Sequence, residues 1–328
     1  GEKLNISLPQ GLVRNLQDVI GINRGGGFIM AISERSIKTK TYQSWKDEYS
    51  SKLRSAEDLA AMIKSGDVIL EPGGINIPHD FHVALSRRVQ ELNNVTICLG
   101  LALKLYDFMQ PQFKQNIHIE TPFVGPVERM LIEWGTASYV PQHLNQLKPW
   151  QEHRKPNITA MVVTPPDENG FFNRSCFGGL VPKDIVAATD VVMVEVNSKT
   201  PWLEGEDLKI HISEIDYICE SDTDLVEIPD IPITEVERQI AAYITDMIPD
   251  GSTIQLGLGG LANAIGYFLL DKKDLGVHTE VVQKSFMDLM KAGVINGSRK
   301  NFNPGKVLAT FCVGDKELWD YVDHNSDF

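Results

Sequence analysis

Gly257-Leu258-Gly259-Gly260-Leu261-Ala262 stands between a short apolar run at 253–256 and a helical pattern at 261–270. Taken literally it satisfies G-x-G-x-x-[GA], and Glu280 falls about 20 residues further on, near a second strand, where a dinucleotide-binding fold places its ribose acid. Two other readings fit the same turn. Glycine-rich strand-to-helix turns are ordinary punctuation in α/β folds. Backbone N–H groups at a helix N-terminus also suit an anion or a thioester oxygen, which makes Gly257, Gly259 and Gly260 candidate binding residues. His278, Thr279 and Glu280 lie in an otherwise apolar run at 277–282, and strand alternation puts His278 and Glu280 on one face with Thr279 on the other. A carboxylate in a buried strand is costly unless paired. Glu280 is therefore either half of a Glu–His or Glu–Lys pair at a strand end, or a reactive carboxylate at the carboxyl edge of a sheet, where α/β folds bind ligands.

Other chemistries find less support. Cys98, Cys176, Cys219 and Cys312 are far apart, with no Cys-x-x-Cys and no histidine at ligand spacing, so neither a metal site nor a disulfide framework is expected. The expected compartment is a reducing cytoplasm. With 31 Lys+Arg against 44 Asp+Glu the net charge is −13, which disfavours nucleic acid as a partner. No apolar run approaches the roughly 18 residues of a membrane span, and the first residues lack the basic-then-apolar pattern of a signal peptide, so no membrane partner is expected.

The elements that would carry these residues come in a repeated order. Ser55 reads as an N-cap for a helix with Ala56, Leu59 and Ile63 on one face; Gly66 stops it, and 68–70 form a buried strand. Glu71-Pro72-Gly73-Gly74 then turn the chain into a helix carrying Phe81, Ala84, Leu85, Val89 and Leu92, followed by a strand at 95–99. Further on, Thr234 with Glu237 forms a capping box for a helix through Ile240, Ile244 and Met247; Gly251 stops it, 253–256 form the strand, and the glycine turn comes next. Buried strands are also expected at 158–163 and 191–196, a turn at 164–171, and a half-buried strand at 211–216.

The fold class is thus α/β, with two similar domains, as a length of 328 residues suggests at about 150 per domain. The expected boundaries are an N-terminal domain at 30–222, a proline-containing acidic linker at 223–233, and the first part of a second domain at 234–328. The later strands of the first copy have no counterparts in the second, so the second domain is expected to be truncated at its C-terminus. Residues 1–29 show no periodicity that continues into the rest of the chain, and are expected to be a non-native leader or extension preceding a start at Met30.

Pro165-Pro166-Asp167-Glu168-Asn169-Gly170-Phe171, Val194-Glu195-Val196-Asn197, His211-Ile212-Ser213-Glu214-Ile215-Asp216, Asp250-Gly251-Ser252-Thr253-Ile254-Gln255-Leu256-Gly257 and Leu275-Gly276-Val277-His278-Thr279-Glu280 together resemble the acetyl-CoA hydrolase/transferase family, whose members include 4-hydroxybutyrate and butyrate:acetate coenzyme A transferases. The resemblance runs from about residue 55 to 328 and includes Asn303-Pro304-Gly305-Lys306. It implies two similar CoA-transferase-type domains, a cytoplasmic homo-oligomer, no permanently bound cofactor, coenzyme A and acyl-CoA as substrates, and Glu280 as nucleophile. A carboxylate attacks the thioester carbonyl, forming a mixed anhydride and free thiolate. The thiolate then attacks the enzyme carbonyl to give a glutamyl-CoA thioester, which the incoming acid resolves.

The chain departs from the family pattern at Ala262-Asn263, where a proline and an acid are usual, at Gln283-Lys284-Ser285 for Ser-Asp-Gly, and at Ile77-Pro78 for Glu-Pro. A Gly-Gly-Gln segment of the family would fall beyond Phe328. The expected function is transfer of CoA from a short-chain acyl-CoA to a small carboxylate. An acyl-CoA hydrolase, a dinucleotide-binding oxidoreductase and a noncatalytic CoA-binding protein are the alternatives.

Overall fold

Short apolar runs bounded by turn residues become the strands of two parallel sheets. The computed structural model describes residues 42–228 and 232–328. The expected leader at 1–29 and start at Met30 lie outside these, as do 229–231 of the expected linker. Strands β1 (Val68–Leu70), β2 (Val95–Cys98), β3 (Ile117–Thr121), β4 (Ala137–Tyr139), β5 (Ile158–Val163), β7 (Val191–Asn197) and β9 (Tyr217–Ser221) form a seven-stranded sheet in the order β4-β3-β2-β1-β5-β7-β9, every pair parallel. β6 (Phe171–Asn173) and β8 (Lys209–His211) make a small antiparallel ribbon. β10 (Thr253–Ile254), β11 (Gly276–Val282) and β12 (Leu308–Cys312) form a second parallel sheet. The chain leaves β1 towards β2 on one side and returns as β5 on the other, so strand order reverses at β1/β5. The carboxyl ends of such strands open a crevice.

Both faces of the large sheet are covered, which is why β5 is buried along its whole length and reads as a continuous apolar run. Alternation sends Ile69, Ile97 and Ile119 into one core with Leu59, Phe81 and Leu85. Leu70, Cys98 and Val163 enter the other with Trp150 and Phe172. Cys98, Cys176, Cys219 and Cys312 are all buried and unbridged. Burial pushes the Cys98 thiol up to about 12 and raises Cys219 as well. Cys312 is raised by its contact with Cys176 and by burial.

The repeated order is visible in the backbone. Ser55 and Thr234 cap their helices, Ala56–Met62 and Glu235–Asp246, with the same φ of −76° and ψ of 160°, each with a capping box. Gly66 and Gly251 follow at φ +88° and +81°, and the turns after β1 and β10 contain Gly73 and Gly259 at φ +97° and +126°. Residues 42–228 and 232–328 nevertheless fall in one compact unit. The core of the small sheet includes Ile75, Cys176 and Phe177 from the first part of the chain, with Phe177 stacked on Phe311 at 5.1 Å.

Three local expectations differ from the structure. The strand expected at 211–216 is the last residue of β8 followed by a 3-10 turn, Ile212–Glu214, because His211 and Glu214 close a capping box that winds the backbone and buries Ile212 with Ile215. The helix after Pro78 ends at Arg87, and Val89 lies in a separate 3-10 turn. Arg88 between them turns its guanidinium to the carbonyls of Ala60 and Ile63, satisfying the end of the neighbouring helix. Along Glu235–Asp246 the buried residues are Ala241 and Thr245, whereas Val236, Ile240, Tyr243 and Met247 are exposed.

Two outcomes are expected from this packing. Gly73 has a left-handed φ, and a Cβ there would lie 1.8 Å from the Gly100 carbonyl oxygen. Gly73→Ala is expected to lower the unfolding free energy by more than about 2 kcal/mol in urea titrations. A loss under half that would mean the turn relaxes. Glu195, in the C-terminal half of β7, accepts from the backbone N–H groups of His79, Asp80 and Phe81 at 2.9–3.1 Å. Burial still pushes its carboxyl up to about 7 from the ordinary 4.5, with the charge of Asp80 adding to the rise. The folded state thus favours the protonated acid. That contribution is full below pH 4.5 and is lost as pH rises through 7. Stability should fall by about 2 kcal/mol between pH 5 and 8, and Glu195→Gln should flatten the slope; identical slopes in the two proteins would refute the assignment.

Candidate active site

The carboxyl ends of β1, β2 and β3 meet the small sheet around a cavity of about 130 Å³. Leu70 and Glu71 come from β1 and its exit, Leu99, Gly100 and Leu101 from the exit of β2, and Pro122 and Phe123 from that of β3. Trp150 and Gln151 of the helix Leu147–Arg154 form another wall, and Glu280 of β11 and Phe311 of β12 complete it. This is the crevice that the reversal at β1/β5 predicts.

β11 has the expected alternation: His278 is exposed, Thr279 buried and Glu280 half-buried. Thr279 Oγ1 donates to the carbonyls of Leu256 at 3.1 Å and Val281 at 3.2 Å, which spends its hydroxyl on the strand pair. His278 stacks against Phe302 at 6.2 Å. Among the described residues Glu280 has no ion-pair partner, and it lines the cavity together with Leu258. Val281 and Val282 continue the pairing with β12 beyond it, so Glu280 is not at the strand's end, where a ribose acid sits.

The glycine turn lies next to this carboxylate without forming the cavity wall. Thr253 and Ile254 pair with Gly276 and Val277, and the Thr279–Leu256 bond continues that register, bringing Gly257 alongside Glu280. Leu258, 44% exposed, reaches the wall; Gly257, Gly259 and Gly260 do not. A Cβ at Gly257 or Gly259 would meet nothing within 4 Å, so the backbone there is open to a ligand. Gly259 caps the helix Gly260–Phe268 without a side-chain bond, leaving its first N–H groups available. Gly260 has a packing reason, since a Cβ there would collide with Glu237.

Several residues that shape the site were not singled out in the sequence. Glu71 is buried at 2% exposure with His82 Nε2 2.7 Å from its Oε1, and Tyr106 and Phe108 meet the imidazole edge-on. Asn76 is wholly buried. Its amide donates to Val162 and Arg174 carbonyls at 2.7 and 2.9 Å, and its oxygen accepts from Phe177 N at 2.9 Å, which fixes Phe177 in the wall. Glu128, buried and with its carboxyl raised by desolvation, accepts from the N–H groups of Ala102 and Gly125 and so holds the segments bearing Leu101 and Phe123. The available signal was position: Glu71 directly follows a buried strand, and Asn76 follows two glycines at its exit. Among the described residues no cluster of three or more His, Cys, Asp or Glu side chains could hold a metal, and no helix is long and apolar enough to cross a membrane.

Comparison with known proteins places the chain in a family. The chain is 36% identical over 284 residues to a succinyl-CoA:cyclohexane-1-carboxylate CoA transferase of Geobacter metallireducens, covering 86% of this chain and 64% of that protein. It is 34% identical over 303 residues to a butyryl-CoA:acetate CoA-transferase of Anaerostipes caccae, covering 87% and 65%. It therefore spans about two thirds of the length of these relatives. The crystal structure of RipA from Yersinia pestis superposes with a TM-score of 0.80 at 27% identity, covering 86% of this chain and 68% of that one. The model of the acetyl-CoA hydrolase/transferase N-terminal domain matches residues 35–230. The chain belongs to the acetyl-CoA hydrolase/transferase family.

Proposed function

We propose that the protein transfers CoA from a short-chain acyl-CoA to a small carboxylate of the acetate, butyrate or 4-hydroxybutyrate class, through a thioester on Glu280. The observation that carries this is Glu280 itself, a half-buried carboxylate without an ion-pair partner among the described residues, lining a largely apolar cavity beside an open glycine turn. Glu280 attacks the acyl-CoA carbonyl; the C–S bond breaks and CoA leaves as thiolate. The thiolate attacks the Glu280 carbonyl of the resulting anhydride, expelling the first acid as its carboxylate. The second acid attacks the Glu280 thioester, and the thiolate returns to the new acyl carbonyl, restoring the Glu280 carboxylate. Each addition develops an oxyanion, which N–H groups at Gly257, Gly259 and Gly260 are suited to meet.

The reading extends to two CoA-transferase-type domains, 30–222 and one beginning at 234, joined by 223–233. The matching caps and glycine turns support the repeat. It also takes the protein as a cytoplasmic homo-oligomer, and four buried, unbridged cysteines suit a reducing compartment. Hydrolysis on the same fold differs only in water resolving the Glu280 thioester.

Treatment with acyl-CoA and borohydride should convert one glutamate, Glu280, to the reduced product in a peptide map. Glu280→Gln, checked for deamidation, should lose transfer by orders of magnitude while CoA still binds. Modification elsewhere, or an undiminished rate in the variant, would remove the covalent role. Products separate the two enzymes: exchange into a new acyl-CoA that depends on added carboxylate marks a transferase, and free CoA released at the same rate without it marks a hydrolase.

A further inference from the structure

We infer that the cavity beside Glu280 is an acyl pocket with room for an apolar group of about six carbons, so that it takes bulkier acyl groups alongside acetyl and butyryl and holds them more tightly. The inference rests on the transferase reading of Glu280 and concerns what the pocket selects.

Bulk is the first observation. The cavity holds about 130 Å³. An apolar protein cavity of about 150 Å³ stays dry and takes up benzene. An acetyl methyl would leave most of this space empty, and an unfilled apolar void forfeits the contacts its walls could make.

Wall chemistry is the second. Leu70, Leu99, Leu147, Trp150, Phe177 and Phe311 surround the space. Polar atoms are few there: Glu71 Oε1 pairs with His82 Nε2 and Gln151 Nε2 donates to the Leu180 carbonyl at 2.9 Å, which leaves Glu71 Oε2, Gln151 Oε1 and Trp150 Nε1 buried without a partner among the described residues. The rest of the wall is mostly leucine and aromatic carbon, so added acyl bulk is taken out of water there.

Position is the third. Glu280 and Leu258 share the wall with Phe311, while Phe123 and Leu144 are 45% and 42% exposed on the same cavity. A thioester carbonyl set at Glu280 would direct its acyl group inward among the leucines and aromatics and its sulfur outward.

The test uses the neutral N-acetylcysteamine thioesters of acetate, butyrate, heptanoate and cyclohexanecarboxylate, which lack the nucleotide of CoA; the last two carry six carbons beyond the carbonyl. Binding to the 328-residue chain carrying Glu280→Gln is followed by tryptophan fluorescence, since Trp150 lies in the wall. The two six-carbon groups, one straight and one cyclic, should bind at least about thirtyfold tighter than acetyl, from about 0.8 kcal/mol per added methylene. Leu180→Phe and Leu147→Phe, each with melting curves to verify folding, should weaken the six-carbon groups about tenfold and acetyl less than twofold. Equal binding of acetyl and six-carbon thioesters, or six-carbon binding unchanged in both folded variants, overturns the inference. Borohydride labelling of the unsubstituted chain with acyl-CoA separates the two layers. A Glu280 adduct without size preference overturns this inference alone, and absence of an adduct with every acyl-CoA overturns the transferase reading and the acyl assignment with it.

Discussion

Two adjacent glycines set the distance at which the halves of this structure meet. Gly73 lets the carbonyl of Gly100 come so close that no side chain fits, drawing the exits of β1 and β2 together. Gly74 leaves room for the ring of Phe177, which a Cβ would meet at 2.2 Å. Asn76, one residue after Ile75, holds Phe177 through its backbone N–H. Phe177 then lies on Phe311, so one turn connects the large sheet, the loop after β6 and the small sheet. An offset aromatic pair of this kind is worth about 1 kcal/mol beyond its area. Its larger effect is geometric, since the cavity exists only while these walls keep their spacing.

Charge is distributed to match. Glu71, Glu128 and Glu195 are buried carboxylates, and each is held: by an imidazole, by two loop N–H groups, and by three N–H groups at a helix start. These contacts offset the desolvation that would otherwise make such groups untenable. Glu280 has neither their depth nor their contacts. A carboxylate already committed to several donors is a poor nucleophile, and one exposed to bulk water is solvated on all sides. Glu280 lies between those limits.

The local order of elements was legible in the sequence wherever a cap, an apolar run and a glycine stop occurred together. Ser55 to Leu70 and Thr234 to Ile254 are the clearest cases, and the alternation at His278, Thr279 and Glu280 needed only the two-residue strand period. Residues 211–216 misled because alternating polarity is also satisfied by a 3-10 turn when a capping box is present. Glu71 with His82, Asn76 with Phe177, and Glu128 with Ala102 were illegible for a different reason. Each pairs groups brought together by strand order and loop path, and no spacing in the chain records those.

The four cysteines have a consequence of their own. Cys98 and Cys219 lie in β2 and β9 of the large sheet, Cys312 at the end of β12, and Cys176 against Cys312 where the two sheets meet. All are buried, and the thiols of Cys98, Cys219 and Cys312 are held in the protonated form, which reacts slowly with electrophiles. Each becomes reactive only when its own layer opens. The chain therefore carries built-in chronometers: the order in which the four thiols take up a label records the order in which the large sheet, the small sheet and the seam between them come apart.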